Sequence, residues 1–554
     1  MGNSTFYDKS FADAEDVIAI TKQINITNGD HCEFCGPPVH SDGKTTSVMA
    51  DDSMTCVVGS TGSMKTTRVV LPYLQSIIRA EQSAIVIDVK PELLSYTYEM
   101  LTNSGYRILI LNLGDPRKGN RYSIFDYPTK LAKNGNIDIS NELIAEICFA
   151  NHVDDIRKAD DSYFGYAAAD LETGAAMLIR DNDYPITYEN IMTTILDGEK
   201  NFAAGTFFQA YLDDIAGPNN PCTWKLSSTS SLVARETKSC VYSMVQKSLS
   251  IYGGEGFKDQ MCESDFSISD LAFQKTVLFI VVPAERSTLD PYVSAFIRSA
   301  YNELCDCASK QPNGKLPITT HFVLDEFANF PQITDFSKIL STARSHSIRF
   351  MIVVQNYAQL VSRYSEEDAH TIFANCSTKI VMRSSDIQMG EYIEKLSGMR
   401  TDPVTGSRTP LITARDVMNL DKTRGEVIIL IDGLQHPFVT CIPSIYDYPS
   451  GIFTYTPMTL FPYRKKKHRR VFDIKEVVKA KKREKLFHSL DQKPVENDEV
   501  LQTPLPQRKS RPQRTGTRTS AEGSEEMDGQ IQIDNMFSRR HRGLLEDLFS
   551  DDDE

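Results

Sequence analysis

No run of apolar residues in this sequence approaches a membrane span. The longest, such as Val277 to Pro283, fall far short of the roughly 18 to 20 residues needed to cross a bilayer. Met1 to Asp30 is polar and acidic and lacks the charged-then-apolar-then-small order of a secretory signal, so an intracellular protein is expected. Cysteine is sparse: eleven in 554 residues, scattered singly apart from Cys32/Cys35 and Cys305/Cys307. That argues against a disulfide framework and for free thiols in a reducing compartment. No repeat recurs at a fixed period, which argues against solenoids and propellers. Compositional bias is missing as well. With 41% hydrophobic and 24% charged residues, the chain is ordinary for a soluble protein and is neither collagen-like nor wholly disordered.

What is present is enough length for about three or four structural units, and an uneven charge. The net charge of -14 argues against a generally basic coat for nucleic acid. Yet Arg464 to Lys485 holds twelve Lys/Arg against three acids, a local +9. Such a block suits contact with acidic lipid or nucleic-acid phosphates, or is a solvated basic linker.

Residues 1–50 show little periodicity and read as an irregular arm. Within it, His31, Cys32, Cys35 and His40 offer four zinc ligands, although structural zinc sites usually need two well-separated pairs. An unremarkable polar loop is the other reading. From Thr55 onward, short β-branched runs alternate with helix-length segments, the pattern of βαβ units around a parallel sheet. Strands are predicted at Thr55–Val58, Ala84–Asp88 and Arg107–Leu113, with helices at Thr66–Arg79 and Glu92–Asn103. Residues 161–235 lack comparable strands, and Tyr166–Ile179 and Ile191–Leu196 carry apolar helical stripes. Strand-like runs resume at Thr276–Val282, His321–Leu324, Phe350–Val354, Thr378–Met382 and Glu426–Ile431. The fold class is therefore α/β: a domain spanning 51–160 and 236–448, interrupted by an all-α insertion at 161–235. Residues 449–554, basic and then acidic, read as a largely disordered tail. Its Leu544, Leu545, Leu548 and Phe549 either form a short amphipathic helix for a partner or belong to a solvated acidic end.

The strand Thr55–Val58 runs directly into Gly59-Ser60-Thr61-Gly62-Ser63-Met64-Lys65-Thr66-Thr67 and a helix, the setting of a phosphate-binding loop. In such a loop, backbone N–H groups converge on nucleotide phosphates and the helix N-terminus adds partial positive charge. Lys65 is expected to reach the terminal phosphates and Thr66 to ligate magnesium. Met64 stands where the strict pattern has glycine. If that position needs a positive φ, the cost is about 1 to 2 kcal/mol. A second strand end, His321-Phe322-Val323-Leu324 followed by Asp325-Glu326, puts two carboxylates where α/β sheets bind ligands. Asp325 would hold the magnesium shell, and Glu326 would polarise the attacking water. Arg344, on a helix at Asp335–Ser347, and Gln355, closing the strand Phe350–Val354, are polar groups whose roles spacing alone leaves open.

Several blocks together resemble the type IV coupling proteins, the TraG/TraD-like conjugal transfer ATPases. They are Gly59 to Thr67, Ile87-Asp88-Val89-Lys90-Pro91-Glu92-Leu93, Leu324 to Asn329, Ser341 to Ser345, Gln355 to Leu360, Asn375-Cys376 and Glu391 to Gly398, preceded by Thr237-Lys238-Ser239. The resemblance spans roughly residues 51 to 448. It implies a RecA-like motor interrupted by an all-α domain, binding ATP and Mg2+ between the subunits of a ring, usually a hexamer. It casts Arg344 as a finger reaching the neighbour's nucleotide and Gln355 as a phosphate sensor. The implied task is to bring DNA with its relaxase, as a relaxase-bound single strand, or protein substrates to a type IV secretion channel and to drive transfer by ATP hydrolysis; the alternatives are a nucleotide-binding recruitment scaffold that does not hydrolyse and another RecA-like DNA-pumping translocase. The family usually begins with transmembrane helices. This chain would instead sit at the inner face of the membrane by docking on a separate membrane-anchored protein.

Overall fold

The main sheet has nine strands, and six of them leave no face to solvent. Thr55–Val58 (β4), Ser83–Asp88 (β5), Thr276–Val281 (β9), Thr320–Leu324 (β10), Ile348–Val354 (β11) and Thr378–Val381 (β12) are buried at every position. Such strands need helices on both faces, the arrangement of a parallel sheet. Arg107–Asn112 (β6), Glu426–Ile431 (β15) and Phe438–Cys441 (β16) are less completely buried, and β6 and β16 form the two edges. The order is β16-β15-β12-β4-β11-β10-β5-β9-β6. Pairing is parallel from β12 to β6 and antiparallel at β12/β15 and β15/β16. The computed structural model describes residues 10–12, 14–25, 31–49, 53–159, 162–203, 205–230, 235–283, 285, 287–401, 404, 406–432, 434 and 436–491.

Strand alternation divides the core. Cys56, Val58, Ile85 and Ile87 face one apolar cluster, while Val57, Ala84 and Val86 face another. The second cluster is completed by the helices Leu71–Arg79 and Glu92–Asn103, through Leu74, Ile77, Leu93 and Leu94. The first takes in the helix Asp290–Ser309 and helices of the insertion. Among the described residues no helix is long and apolar enough to cross a membrane.

Three regions differ from the sequence reading. The arm at 1–50 contains an antiparallel sheet of Thr21–Asn25 (β1), Thr45–Met49 (β3) and Pro38–Ser41 (β2), with β3 in the middle. Its strands bury few apolar side chains, chiefly Ile24, Val39, Val48 and Met49, so polar composition hid the alternation. Cys35 and His40 do not converge on a metal. Cys35 Sγ lies 3.1 Å from Gln82 Oε1 and 3.6 Å from His321 Nε2, while His40 Nδ1 is 2.8 Å from Thr440 Oγ1. Among the described residues no group of three or more His, Cys, Asp or Glu is placed to hold a metal ion. The helical insertion is also larger than 161–235. Helices begin at Asp126 and continue to Gln260 between β6 and β9, with one small hairpin, Asn201–Phe202 (β7) and Gly205–Thr206 (β8).

The third difference is the basic block. Rather than a tail, residues 463–485 form a strap on the insertion and the β6 edge, ending in the helix Ile474–Asp491. Arg464 donates to the carbonyls of Pro116 at 2.6 Å, Gly119 at 2.9 Å and Asn120 at 3.0 Å, and pairs with Asp259 at 3.1 Å. Arg121 meets the same carboxylate at 2.9 Å. Burial alone would raise Asp259, but hydrogen bonds from Arg121, the Lys467 N–H and Arg464 hold it below the usual carboxylate range. Further along, Lys467 pairs with Glu263, Arg469 with Glu189 and Glu255, Lys475 with Asp197, and Lys482 with Asp214. These acids lie more than 200 residues away in sequence, so local charge counting could not see that six of the block's twelve cations, Arg464, Lys467, Arg469, Lys475, Lys482 and Lys485, are paired with them. Loss of one partner from a buried cluster such as Arg121–Asp259–Arg464 costs about 3 to 5 kcal/mol. The Leu544 to Phe549 set and the acidic end Asp551 to Glu554 lie outside the described residues.

Candidate functional site

The chain leaves β4 at Val58 and must turn at once into a helix. Gly59 N–H donates to Val354 O at 3.3 Å and Ser60 N–H to Arg383 O at 3.1 Å, tying the loop to the ends of the flanking strands β11 and β12. A Cβ on Gly59 would lie 2.6 Å from Ser63 Oγ and 2.9 Å from Met382 Cβ, so the close approach requires glycine there. The N–H groups of Thr61, Gly62 and Met64 have no hydrogen-bond partner among the described residues, and the buried Ser63 Oγ has none either. Unpartnered donors in a glycine loop at a helix start fit phosphate oxygens. The helix opens with a wide π turn at Thr66–Val70 before Leu71–Arg79 continues it, a local widening often found at functional sites.

Met64 has φ +67°, and its side chain is 42% exposed. A residue this open to solvent is not packed into the loop, and the cost of a side chain here is the left-handed backbone. Lys65 is buried, with Nζ donating to Gly59 O at 2.7 Å and standing 3.5 Å from Ser60 O. Burial lowers its pKa from the ordinary lysine value, while the charges of Glu326 and Asp325 raise it. Thr67 Oγ1 donates to Met64 O at 3.3 Å, whereas the half-buried Thr66 keeps its hydroxyl free among the described residues.

The carboxylates come from β10. Asp325 is buried and accepts from the Glu326 N–H at 3.1 Å. Burial raises its pKa to about 7, with Glu326 and Asp88 adding to the rise and Lys65 opposing it. Glu326 itself sits in the left-handed region at φ +53°. Such strain is stored where the surroundings over-determine a geometry. Strand β11 lies between β4 and β10, so its end, Gln355, falls between the loop and the acids. Gln355 Nε2 donates to Glu326 Oε2 at 2.6 Å, and Thr61 Oγ1 donates to Gln355 Oε1 at 3.0 Å. Lys65, Asp325, Glu326 and Gln355 thus share one sheet edge.

Arg344 does not join them. It follows the helix Phe336–Ala343 in a short 3-10 turn and is exposed, with no side-chain partner among the described residues. It precedes β11, while Gln355 follows it; seven residues at about 3.3 Å each put the two ends roughly 20 Å apart. Asp88, quoted only as part of a motif, belongs to the cluster. The pairing Ile87↔Leu324 brings Asp88 and Asp325 to adjacent strand ends. Asp88 accepts from Leu94 N–H at 2.8 Å, and burial raises its pKa to about 6. The signal available in sequence was an aspartate closing a predicted strand. Burial pushes Asp88 and Asp325 toward neutrality, and no three acids among the described residues are placed to hold a metal ion by themselves, so a divalent cation at Asp325 would need further oxygens such as those of a nucleotide's phosphates.

A family model described as "Type IV secretory system Conjugative DNA transfer" matches residues 9–429. The type IV secretion system-coupling protein VirD4 of Bartonella quintana is 28% identical over 175 residues, 32% of this chain and 27% of that relative. Its counterpart in Bartonella henselae is 25% identical over 232 residues, 39% of this chain and 35% of the relative. The chain thus aligns with only about a third or less of the length of these curated relatives. Among solved structures, the plasmid coupling protein TrwB in complex with ADP and Mg2+ superposes with a TM-score of 0.56 at 14% identity, covering 82% of this chain and 99% of that one. The shared architecture is the RecA-like α/β fold with a separate helical region.

Proposed function

The chain belongs to the type IV secretory system conjugative DNA transfer family, and from that premise we propose that it is an ATP-hydrolysing coupling protein. It recruits DNA with its relaxase, or protein substrates, to a type IV secretion channel and powers their transfer as a ring of identical subunits. The observation carrying this reading is the convergence of the phosphate loop, Asp325, Glu326 and Gln355 on one sheet edge. The complex of TrwB with ADP and Mg2+ supports the choice of nucleotide and metal.

In this reading the free N–H groups of the loop and Lys65 bind the phosphates. Magnesium, when bound, would neutralise phosphate charge, and Thr66 and Asp325 would hold it. Glu326 takes a proton from water as the water oxygen bonds to the γ-phosphorus. The bond from that phosphorus to its bridging oxygen breaks, leaving ADP and phosphate. Gln355 orients the groups around the γ-phosphate. Arg344 acts on the next subunit's nucleotide. The test is ATP turnover by the purified chain with and without single-stranded DNA. A coupling motor is expected to turn over several-fold faster with DNA; no turnover in either condition would sink the reading.

The strained Met64 favours a second reading, a nucleotide-binding recruitment scaffold that does not hydrolyse. Met64→Gly separates the two. Glycine removes about 1 to 2 kcal/mol of left-handed strain and adds roughly 0.5 to 1 kcal/mol of unfolded-chain freedom, so stability should rise by at most about 1.5 kcal/mol. A motor limited by loop geometry should also hydrolyse faster in a phosphate-release assay, whereas a scaffold should gain stability alone.

A further inference from the structure

The three side chains Thr61, Gln355 and Glu326 form a chain of hydrogen bonds whose direction is fixed by chemistry. An ionised Glu326 carboxylate only accepts, so the atom of Gln355 at 2.6 Å from it must be the amide nitrogen. The other end of that amide is then the carbonyl oxygen, and Thr61 Oγ1 at 3.0 Å must spend its single proton on it. Thr61 is exposed on the crest of the phosphate loop, beside the unpartnered N–H groups of Gly62 and Met64. A hydroxyl with one proton cannot donate to Gln355 and to a phosphate oxygen together. An anionic phosphate oxygen is the stronger acceptor.

We propose that Thr61 is a positioning residue whose hydroxyl latches Gln355 onto Glu326, holding the water-activating carboxylate until a nucleotide phosphate draws that hydroxyl away. The inference rests on the roles given above to Glu326 and Gln355, and it names how the same site is regulated. With the hydroxyl withdrawn, Gln355 Oε1 loses its donor, the amide is free to turn, and Glu326 is released to water. The latch costs no new element, because the strand order already places β11 between the loop and the acids.

The experiment compares the full-length protein with Thr61→Val, which keeps the shape and removes the hydroxyl, and Thr61→Ser, which keeps the hydroxyl. ATP turnover is measured without DNA, and affinity is measured with a fluorescent ATP analogue. Thr61→Val should bind the analogue more weakly, because the hydroxyl's bond to phosphate is stronger than the Gln355 bond it gives up, and its turnover at subsaturating ATP should fall accordingly, while Thr61→Ser should match the unmodified protein. Gln355→Leu, which leaves the Thr61 hydroxyl to the phosphate alone, should bind the analogue roughly two- to tenfold more tightly, and adding Thr61→Val should cancel that gain. No gain in Gln355→Leu, or the same gain with Thr61→Val present, overturns the latch and leaves Thr61 a simple loop residue. Lys65→Ala, measured in parallel, keeps the two levels apart. If it still binds and hydrolyses ATP, the nucleotide site itself is wrong, whatever Thr61 does.

Discussion

Glu326→Gln should bind ATP as tightly as the unmodified protein and turn it over roughly a hundred- to ten-thousand-fold more slowly, the range for loss of a positioned general base. The substitution is close to isosteric, and the new amide can present its oxygen to Gln355 Nε2, which now sits 2.6 Å from Glu326 Oε2. The end of β10 therefore keeps its shape. Removing the charge also relieves its neighbour. Asp325 is pushed up to about 7 by burial first and then by Glu326 and Asp88, so the variant makes Asp325 easier to ionise. Metal and nucleotide binding should not suffer, and the whole loss should appear in kcat. A fluorescent ATP analogue gives the affinity and a phosphate-release assay gives the rate. Turnover above about a tenth of the original would remove Glu326 as the base, because the remaining factor is smaller than general-base catalysis supplies.

How much of this site could be read from sequence depended on how local its signals were. Strands such as Thr276–Val281 and Glu426–Ile431 were legible because burial on both faces leaves an unbroken apolar run. Gly59 to Thr67 was legible because loop, lysine and helix are contiguous. The positive φ of Met64 could be posed as a question, and only the backbone answers it. The register that sets Asp88 beside Asp325 was not legible, since it joins residues more than 200 positions apart. Nor was the strap: Arg464 and Lys475 find Asp259 and Asp197 through tertiary packing, while composition shows only a run of cations. The sheet β1–β3 was hidden for the opposite reason, too few apolar residues to make its alternation visible.

The placement of Arg344 yields the last prediction. Strands β4, β10 and β11 are parallel, so Gln355 and the phosphate loop share their C-terminal edge and Arg344 lies beyond the N-terminal edge. At roughly 20 Å, by the rise of β11, no rotamer brings Arg344 to the phosphates of its own chain. If it stabilises the transition state, it does so across a subunit boundary, and a ring joined head to tail presents one subunit's surface to the next subunit's different surface. Arg344→Ala is then expected to lower ATP turnover by about a thousand-fold or more, as removal of an arginine finger does, with nucleotide affinity little changed. The substitution should not unfold the chain, because the side chain is exposed and only the backbone carbonyl is engaged, accepting from Arg349 Nη1 at 3.1 Å. Mixing is the decisive measurement. Equal amounts of Arg344→Ala and Glu326→Gln, each inactive alone, form some interfaces with an intact Glu326 on one side and an intact Arg344 on the other. Random assembly of such heterologous interfaces makes about a quarter of them complete, so turnover should return toward that fraction. If mixed assembly is verified and turnover stays at the level of the separate variants, Arg344 does not act in trans.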